Sequence, residues 1–111
     1  FKMDTEVVLF YSDKFFGTAD AISFRNGMLR IHDLKTGKVG NPDSHVEQLE
    51  IYAALFCLEY RVNPHDISIE LRVYKNDEVV RHTPKPEDIV DIMNKIIELN
   101  KLLEKMEYEE G

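Results

Sequence analysis

Arg25-Asn26-Gly27-Met28 stands between two runs rich in apolar and β-branched residues, 15–24 and 28–35. Asn-Gly at such a place is the strongest short-range hairpin signal, because both central residues of a type I′ turn need positive φ. A two-residue loop here pairs Arg25 with Met28, and each further pair steps outward by one residue on both strands. Phe24 then faces Leu29, Ile22 faces Ile31, Asp20 faces Asp33 and Thr18 faces Lys35. Side-chain alternation puts these four pairs on one face of a sheet. That face begins apolar and ends in two carboxylates beside a lysine.

Directly opposed like charges destabilise a strand pair, so the geometry asks for something between Asp20 and Asp33. Mg²⁺ or Mn²⁺ held through oxygen meets that need. Such an ion would lower the pKa of a bound water and shield a phosphate's charge. Lys35, two residues past Asp33, would orient or deprotonate the attacking water, or stabilise charge on the phosphorane. The bland reading of the same residues is a strand end in water, with three solvated rim charges. The one-sided face and the flanking Gly17 and Gly37 weigh against that bland reading, and geometry alone then divides evenly between the two.

The rest of the chain alternates between the two main periodicities. Residues 6–11 read as a first strand, and 36–42 as a glycine-rich loop. Ser44-x-x-Glu47 has capping-box spacing and opens a helix over 44–61, which Asn63-Pro64 stops. Residues 67–74 alternate strictly and read as a half-buried strand, followed by a turn at 75–77 and a short strand at 78–82. Pro84 and Pro86 open a last helix, about 86–108, with Glu87 and Asp88 in its first turn. Its apolar stripe runs through Ile89, Ile92, Met93, Ile96, Ile97, Leu99, Leu102, Leu103 and Met106, and reads as core packing or as a partner surface. The expected order is βββαββα, in one domain of 111 residues.

Charge narrows the choice of function. The chain carries 14 Lys and Arg against 21 Asp and Glu, a formal net charge of −7. Duplex readers that rely on phosphate neutralisation are usually basic, so this balance disfavours a sequence-reading DNA-binding module. It does not disfavour a metal-dependent nuclease, whose site needs carboxylates. With one cysteine, Cys57, the chain cannot close a disulfide on itself or build a four-cysteine iron–sulfur cluster. No apolar run approaches the ~20 residues of a bilayer crossing, and no signal peptide opens the chain. Together these point to the cytoplasm.

Gly17-Thr18-Ala19-Asp20, then Asp33-Leu34-Lys35-Thr36-Gly37, then Gln48-Leu49-Glu50-Ile51-Tyr52, occur in that order. The set resembles the PD-(D/E)XK nuclease superfamily, and within it the RecB-like exonuclease branch of phage recombination and bacterial repair. That branch reads Gly-x-x-Asp, Asp-x-Lys-Thr-Gly and Gln-x-x-x-Tyr on successive elements. The resemblance covers about residues 6–74 and is expected to extend to the whole chain. It implies an α/β, restriction-endonuclease-like fold, a small mixed β-sheet flanked by helices. It also implies a core over 6–82 followed by the C-terminal amphipathic helix. The implied activity is hydrolysis of DNA phosphodiester bonds with Mg²⁺ or Mn²⁺, in a bacterial or phage-infected cell. Asp20 and Asp33 would ligate the metal with the Leu34 carbonyl, and Lys35 would be the catalytic lysine. Gln48 and Tyr52, one helical turn apart, would position the site and the nucleic-acid strand.

The family core normally begins with a helix ahead of the first strand, whereas this sequence enters that strand almost at once. Asp4 or Glu6 is a candidate third carboxylate. A second copy, or a partner segment supplying the missing helix, is therefore also expected. The alternative is a nuclease-derived binding or assembly module with an incomplete active site. Other candidates read as structural. His32 should point to the sheet face away from the aspartates, beside Ala21. His45 lies near Gln48, and His65 and His82 read as surface residues near turns. Cys57 reads as core, and Lys14, Lys38, Arg61 and Arg72 as solvent charges rather than phosphate contacts.

Overall fold

The computed structural model describes residues 4–35, 42–75 and 78–110. Three strands, β1 (Asp4–Ser12), β2 (Phe15–Arg25) and β3 (Met28–Lys35), precede helix α1 (Pro42–Tyr60). A single 3-10 turn at Pro64–Asp66 leads to β4 (Ser68–Lys75), β5 (Glu78–His82) and helix α2 (Pro86–Glu110). The strands form one mixed sheet in the order β1-β2-β3-β4-β5. Only β3 and β4 run parallel, joined by the connection that contains α1. The chain is thus α/β, a five-stranded mixed sheet with two helices. The glycine-rich loop expected after β3 lies, from residue 36 to 41, outside the described residues, as does Asn76-Asp77.

Local chemistry sets the β2–β3 hairpin. Asn26 and Gly27 take φ of 53° and 76°, the left-handed values a type I′ turn requires. The expected register follows, from Arg25–Met28 through Phe24–Leu29 and Ile22–Ile31 to Ala21–His32. The turn is also tied to the next crossover strand, since Ser68 N–H donates to the Gly27 carbonyl at 2.8 Å.

Helix α1 begins at Pro42, so Ser44 stands inside its first turn rather than capping it. Proline suits a helix start because its missing N–H has no intrahelical partner there. At the other end Arg61 takes a left-handed φ of 56°, and Val62 N–H donates back to the Cys57 carbonyl at 2.9 Å. This closes the helix without glycine. Asn63 then caps the 3-10 turn, its Oδ1 accepting from His65 N–H at 2.9 Å.

The core lies between α1 and the sheet. Leu49, Ala53, Phe56 and Cys57 of α1 share a buried cluster with Leu29, Ile31, Ile69 and Leu71 of β3 and β4. Each fully buried leucine or isoleucine contributes roughly 1.5–3 kcal/mol relative to exposure. Helix α2 packs on α1 and on the 3-10 turn, burying Ile89 and Ile96. Further along α2, buried Asn100 accepts from the Ser12 hydroxyl at 2.6 Å and donates to Glu104 at 3.1 Å. Lys14 pairs with Glu107, so the β1–β2 turn is fastened to α2 at two points.

Register identifies the sheet face turned away from α1. Arg30 and His32 of β3 stand beside Glu70, Arg72 and Tyr74 of β4. Glu70 bridges Arg30 and Arg72, and His32 stacks on Tyr74 with ring centroids 5.6 Å apart. Edge strand β1 is blunted by Glu59 of α1, whose carboxylate accepts from Phe10 N–H at 2.6 Å. That contact occupies a donor that would otherwise be open to another strand. Among the described residues, no helix is long and apolar enough to cross a membrane.

Candidate functional site

The site lies where β2 and β3 part. Their ladder ends at Ala21–His32, so residues 15–19 of β2 pair with β1 alone and residues 33–35 of β3 with β4 alone, while Asp20 falls in neither register. Asp20 and Asp33 stand at the first position beyond the ladder, not as the directly opposed pair that register alone implies. The Asp20 carboxylate spans the opening and accepts the backbone N–H of Leu34 at 2.9 Å. Asp20 is exposed, while Asp33 is 8% exposed.

A change of face explains why the strands separate here. Gly17 faces α1, because a Cβ there would meet the ring of Tyr52. Phe24 also faces α1, its ring centroid 5.4 Å from that of Phe56. Seven residues cannot separate two side chains on the same face of a regular strand. The α1-facing set therefore switches from odd to even positions within β2. Burial dates the switch to the stretch after Ala19, where Ala21, Ile22 and Ser23 are all buried in succession. The expectation that Thr18, Asp20, Ile22 and Phe24 share one face is thereby corrected: Thr18 points away from α1, Ile22 and Phe24 towards it.

The neighbouring strand shows the same irregularity. The β1–β2 ladder passes from Thr5–Ala21 to Val7–Ala19, skipping Glu6 and Asp20. Glu6 takes a φ of 51°, a left-handed value uncommon for a residue with a side chain. Only the backbone marks Glu6 out: its sequence surroundings read as ordinary strand, although its carboxylate made it a candidate. The structure places it at the register position opposite Asp20, and it is exposed.

Helix α1 brings Tyr52 of the third motif onto Gly17, three residues before Asp20. Gln48 Nε2 donates to Tyr52 Oη at 3.0 Å, a bond between residues one turn apart. Tyr52 lies on Gly17 so closely that a Cβ at position 17 would be 2.5 Å from Tyr52 Cε1. Two contacts thus connect the three motifs. Tyr52 joins Gln-x-x-x-Tyr to Gly-x-x-Asp, and Asp20 joins Gly-x-x-Asp to Asp-x-Lys. The backbone of Lys35 continues β3, pairing with Lys75. Its side chain, Thr36, Gly37, Lys38 and the side chains of Asp4 and His45 lie outside the described residues.

The donors suit a hard cation. Two carboxylates and a backbone carbonyl are all oxygen, the set that Mg²⁺ and Mn²⁺ take together with several waters. In a strand the N–H and C=O of one residue point to the same side. Because the Leu34 N–H reaches Asp20, the Leu34 carbonyl opens towards the same gap. Among the described residues no group of three or more His, Cys, Asp or Glu side chains gathers as a metal cluster. The fit therefore rests on two carboxylates and the carbonyl.

The remaining candidates fall elsewhere. His32 pairs with Ala21 and lies on the face away from α1, with Nδ1 2.9 Å from the Tyr74 hydroxyl. Burial holds its pKa below the ordinary histidine value, and Arg72 and Arg30 push in the same direction. Cys57 is fully buried, and burial raises its thiol pKa to about 11. His65 is exposed, as expected. His82 is half-exposed and lies 3.9 Å from Glu50 of α1, a partner its surroundings in the sequence did not announce. Lys14 is engaged by Asp13 and Glu107, and Arg72 by Glu70.

No protein-family model matches this chain, and no curated protein or solved structure matches it either.

Proposed function

We propose that this chain is a metal-dependent deoxyribonuclease of the PD-(D/E)XK superfamily, RecB-like in its motifs and restriction-endonuclease-like in fold. The observation that carries this reading is the pair of contacts uniting the three motifs: Tyr52 on Gly17, and Asp20 on the Leu34 amide. These two contacts link residues spread over 36 positions of sequence, from Gly17 to Tyr52, and their types suit the chemistry.

Asp20, Asp33 and the Leu34 carbonyl would hold Mg²⁺ or Mn²⁺. The ion, when bound, lowers the pKa of a coordinated water and offsets charge on the phosphate. Asp33, nearly buried, presents its carboxylate in a setting that strengthens electrostatic attraction relative to bulk water. Asp20 is held by the Leu34 amide, which fixes its orientation before any ligand arrives. Lys35 would orient the water or take its proton. Gln48 and Tyr52, hydrogen-bonded to each other, would set the position of the DNA strand. The same frame fits a role in DNA recombination, repair or phage DNA processing.

The test is hydrolysis of labelled linear single- and double-stranded DNA with Mg²⁺ or Mn²⁺, beside Asp33→Ala and Lys35→Ala variants. Turnover by the parent that is lost in both variants and in chelator supports the nuclease. Absence of turnover, with divalent ions still raising the melting temperature through Asp20 and Asp33, favours the binding or assembly module. Neither turnover nor a metal-dependent rise in melting sinks both readings.

A further inference from the structure

Helix α2 spans 25 residues, about 37 Å at 1.5 Å per residue. Its first half is anchored by Ile89 and Ile96, and Asn100 and Glu107 keep the second half against the β1–β2 turn. Alongside that anchored line a second one is left bare. Leu99, Leu102, Leu103 and Met106 are 49%, 52%, 38% and 47% exposed. Their spacing of i, i+3, i+4 and i+7 puts them on one face, a continuous apolar stripe two turns long.

The charges beside this stripe describe what would cover it. Glu98 and Lys105, both exposed, are seven residues apart and so lie on the same flank, next to Leu102. The acids nearest the opposite flank are already engaged, Glu104 by Asn100 and Glu107 by Lys14. Beside the stripe, Glu98 and Lys105 stand at equivalent heptad positions, and such an acid–base pair complements itself when two copies run antiparallel. Layers then pair Leu99 with Leu102 of the second copy, and the twofold axis repeats the contact. The same alignment sets Glu98 against Lys105 of the second copy, twice. In a parallel pair Glu98 would meet the level of Leu103 and gain no opposite charge.

We propose that the exposed stripe of α2 is a homodimer interface, formed antiparallel with the same stripe of a second copy. This surface shares no residue with the opening between β2 and β3, so the inference stands independently of the nuclease reading. Two turns of helix on each side make a small interface, and the dimer forms in a concentration-dependent equilibrium rather than permanently.

Sedimentation equilibrium of the whole chain, from low micromolar to several hundred micromolar, tests the proposal. The expected result is a monomer–dimer equilibrium. Leu102→Glu should raise its dissociation constant at least ~10-fold while leaving the monomer's melting temperature unchanged, because that side chain is half in water already. Glu98→Lys and Lys105→Glu should each weaken the dimer, and the double reversal should restore it. A monomer at every concentration overturns the proposal. So does a dimer indifferent to Leu102→Glu, which would use another surface, or a double reversal that fails to rescue, which would exclude the antiparallel pairing.

Discussion

Tyr52 of α1 rests directly on the backbone of Gly17, and a single added methyl group at position 17 would fall 2.5 Å from its ring. This contact sets how closely α1 approaches β2, and Gln48 is tied to the same ring through its hydrogen bond to the Tyr52 hydroxyl. Gly17→Ala forces either the tyrosine ring or the helix to move. Overpacking of this kind costs about 1–3 kcal/mol. Chemical denaturation should show that loss in Gly17→Ala. In a Gly17→Ala/Tyr52→Ala double variant the added cost of the alanine should fall well below its cost in the parent, because the colliding ring is gone. Additive losses would show that Tyr52 does not press on Gly17 in solution.

Asp20 has two separable tasks, accepting the Leu34 amide and holding a cation. Asp20→Asn keeps an acceptor oxygen for the amide, whereas Asp20→Ala removes it, at a cost of about 1 kcal/mol or less at this exposed position. Thermal melting without metal should therefore rank the parent and Asp20→Asn together, with Asp20→Ala lower. With Mg²⁺ or Mn²⁺ the parent alone should gain stability, since neither variant presents a charged carboxylate. A metal-induced rise retained in Asp20→Ala would remove Asp20 from the cation site.

His32 makes stability pH-dependent near neutrality. Its folded pKa lies below the unfolded value of about 6.5, chiefly because it is buried, with Arg72 and Arg30 adding repulsion. Below pH ~6.5 the unfolded chain binds a proton that the folded chain resists, so unfolding gains. The contribution is thus fully present above pH ~6.5 and is lost as pH falls towards the folded pKa. Melting curves across this window should slope upward with pH in the parent and less steeply in His32→Gln. Glu50, whose pKa burial raises, has the opposite sign and is common to both proteins, so it cancels in the difference. Equal slopes would mean that His32 titrates normally in the fold.

Cys57 should be inert in the native protein. It is fully buried, and its thiol pKa of about 11 leaves little thiolate at pH 8. A thiol reagent such as DTNB should react at the rate of unfolding and reach one equivalent promptly in denaturant. Rapid labelling of the folded protein would show that the α1–sheet core opens locally.

Much of the fold was legible because it is local. Asn26-Gly27 determines its own turn, and the turn determines the register of the five pairs that follow it. The alternation of residues 67–74 marked β4, and the stripe beginning at Ile89 marked α2, since burial on one side leaves a period in the sequence. Helix α1 was recognised from its apolar spacing but started two residues early, because Pro42 is itself a good first residue and Ser44 was not needed as a cap.

The site was legible only by type. Three short motifs named Asp20, Asp33, Lys35, Gln48 and Tyr52, and spacing along a strand or helix placed neighbours such as Gln48 and Tyr52. Extrapolating the hairpin outward, however, opposed Asp20 directly to Asp33. The strands part before that pair, β2 turns a different set of residues to α1, and Glu6 takes a left-handed backbone opposite Asp20. None of this has a sequence period, because it arises where a regular ladder is interrupted by packing from outside the strand.

The sequence by itself therefore determined the hairpin, the alternating strands, the amphipathic α2 and the inventory of oxygen donors, all properties of residues near one another along the chain. Tertiary structure alone decided that Tyr52 would lie on Gly17, that Asp20 would take the Leu34 amide, and that the last turns of α2 would keep an apolar stripe uncovered. The reason is physical. Turn geometry and side-chain alternation act over a few residues, whereas the meeting of helix and sheet depends on the shape of every side chain between them.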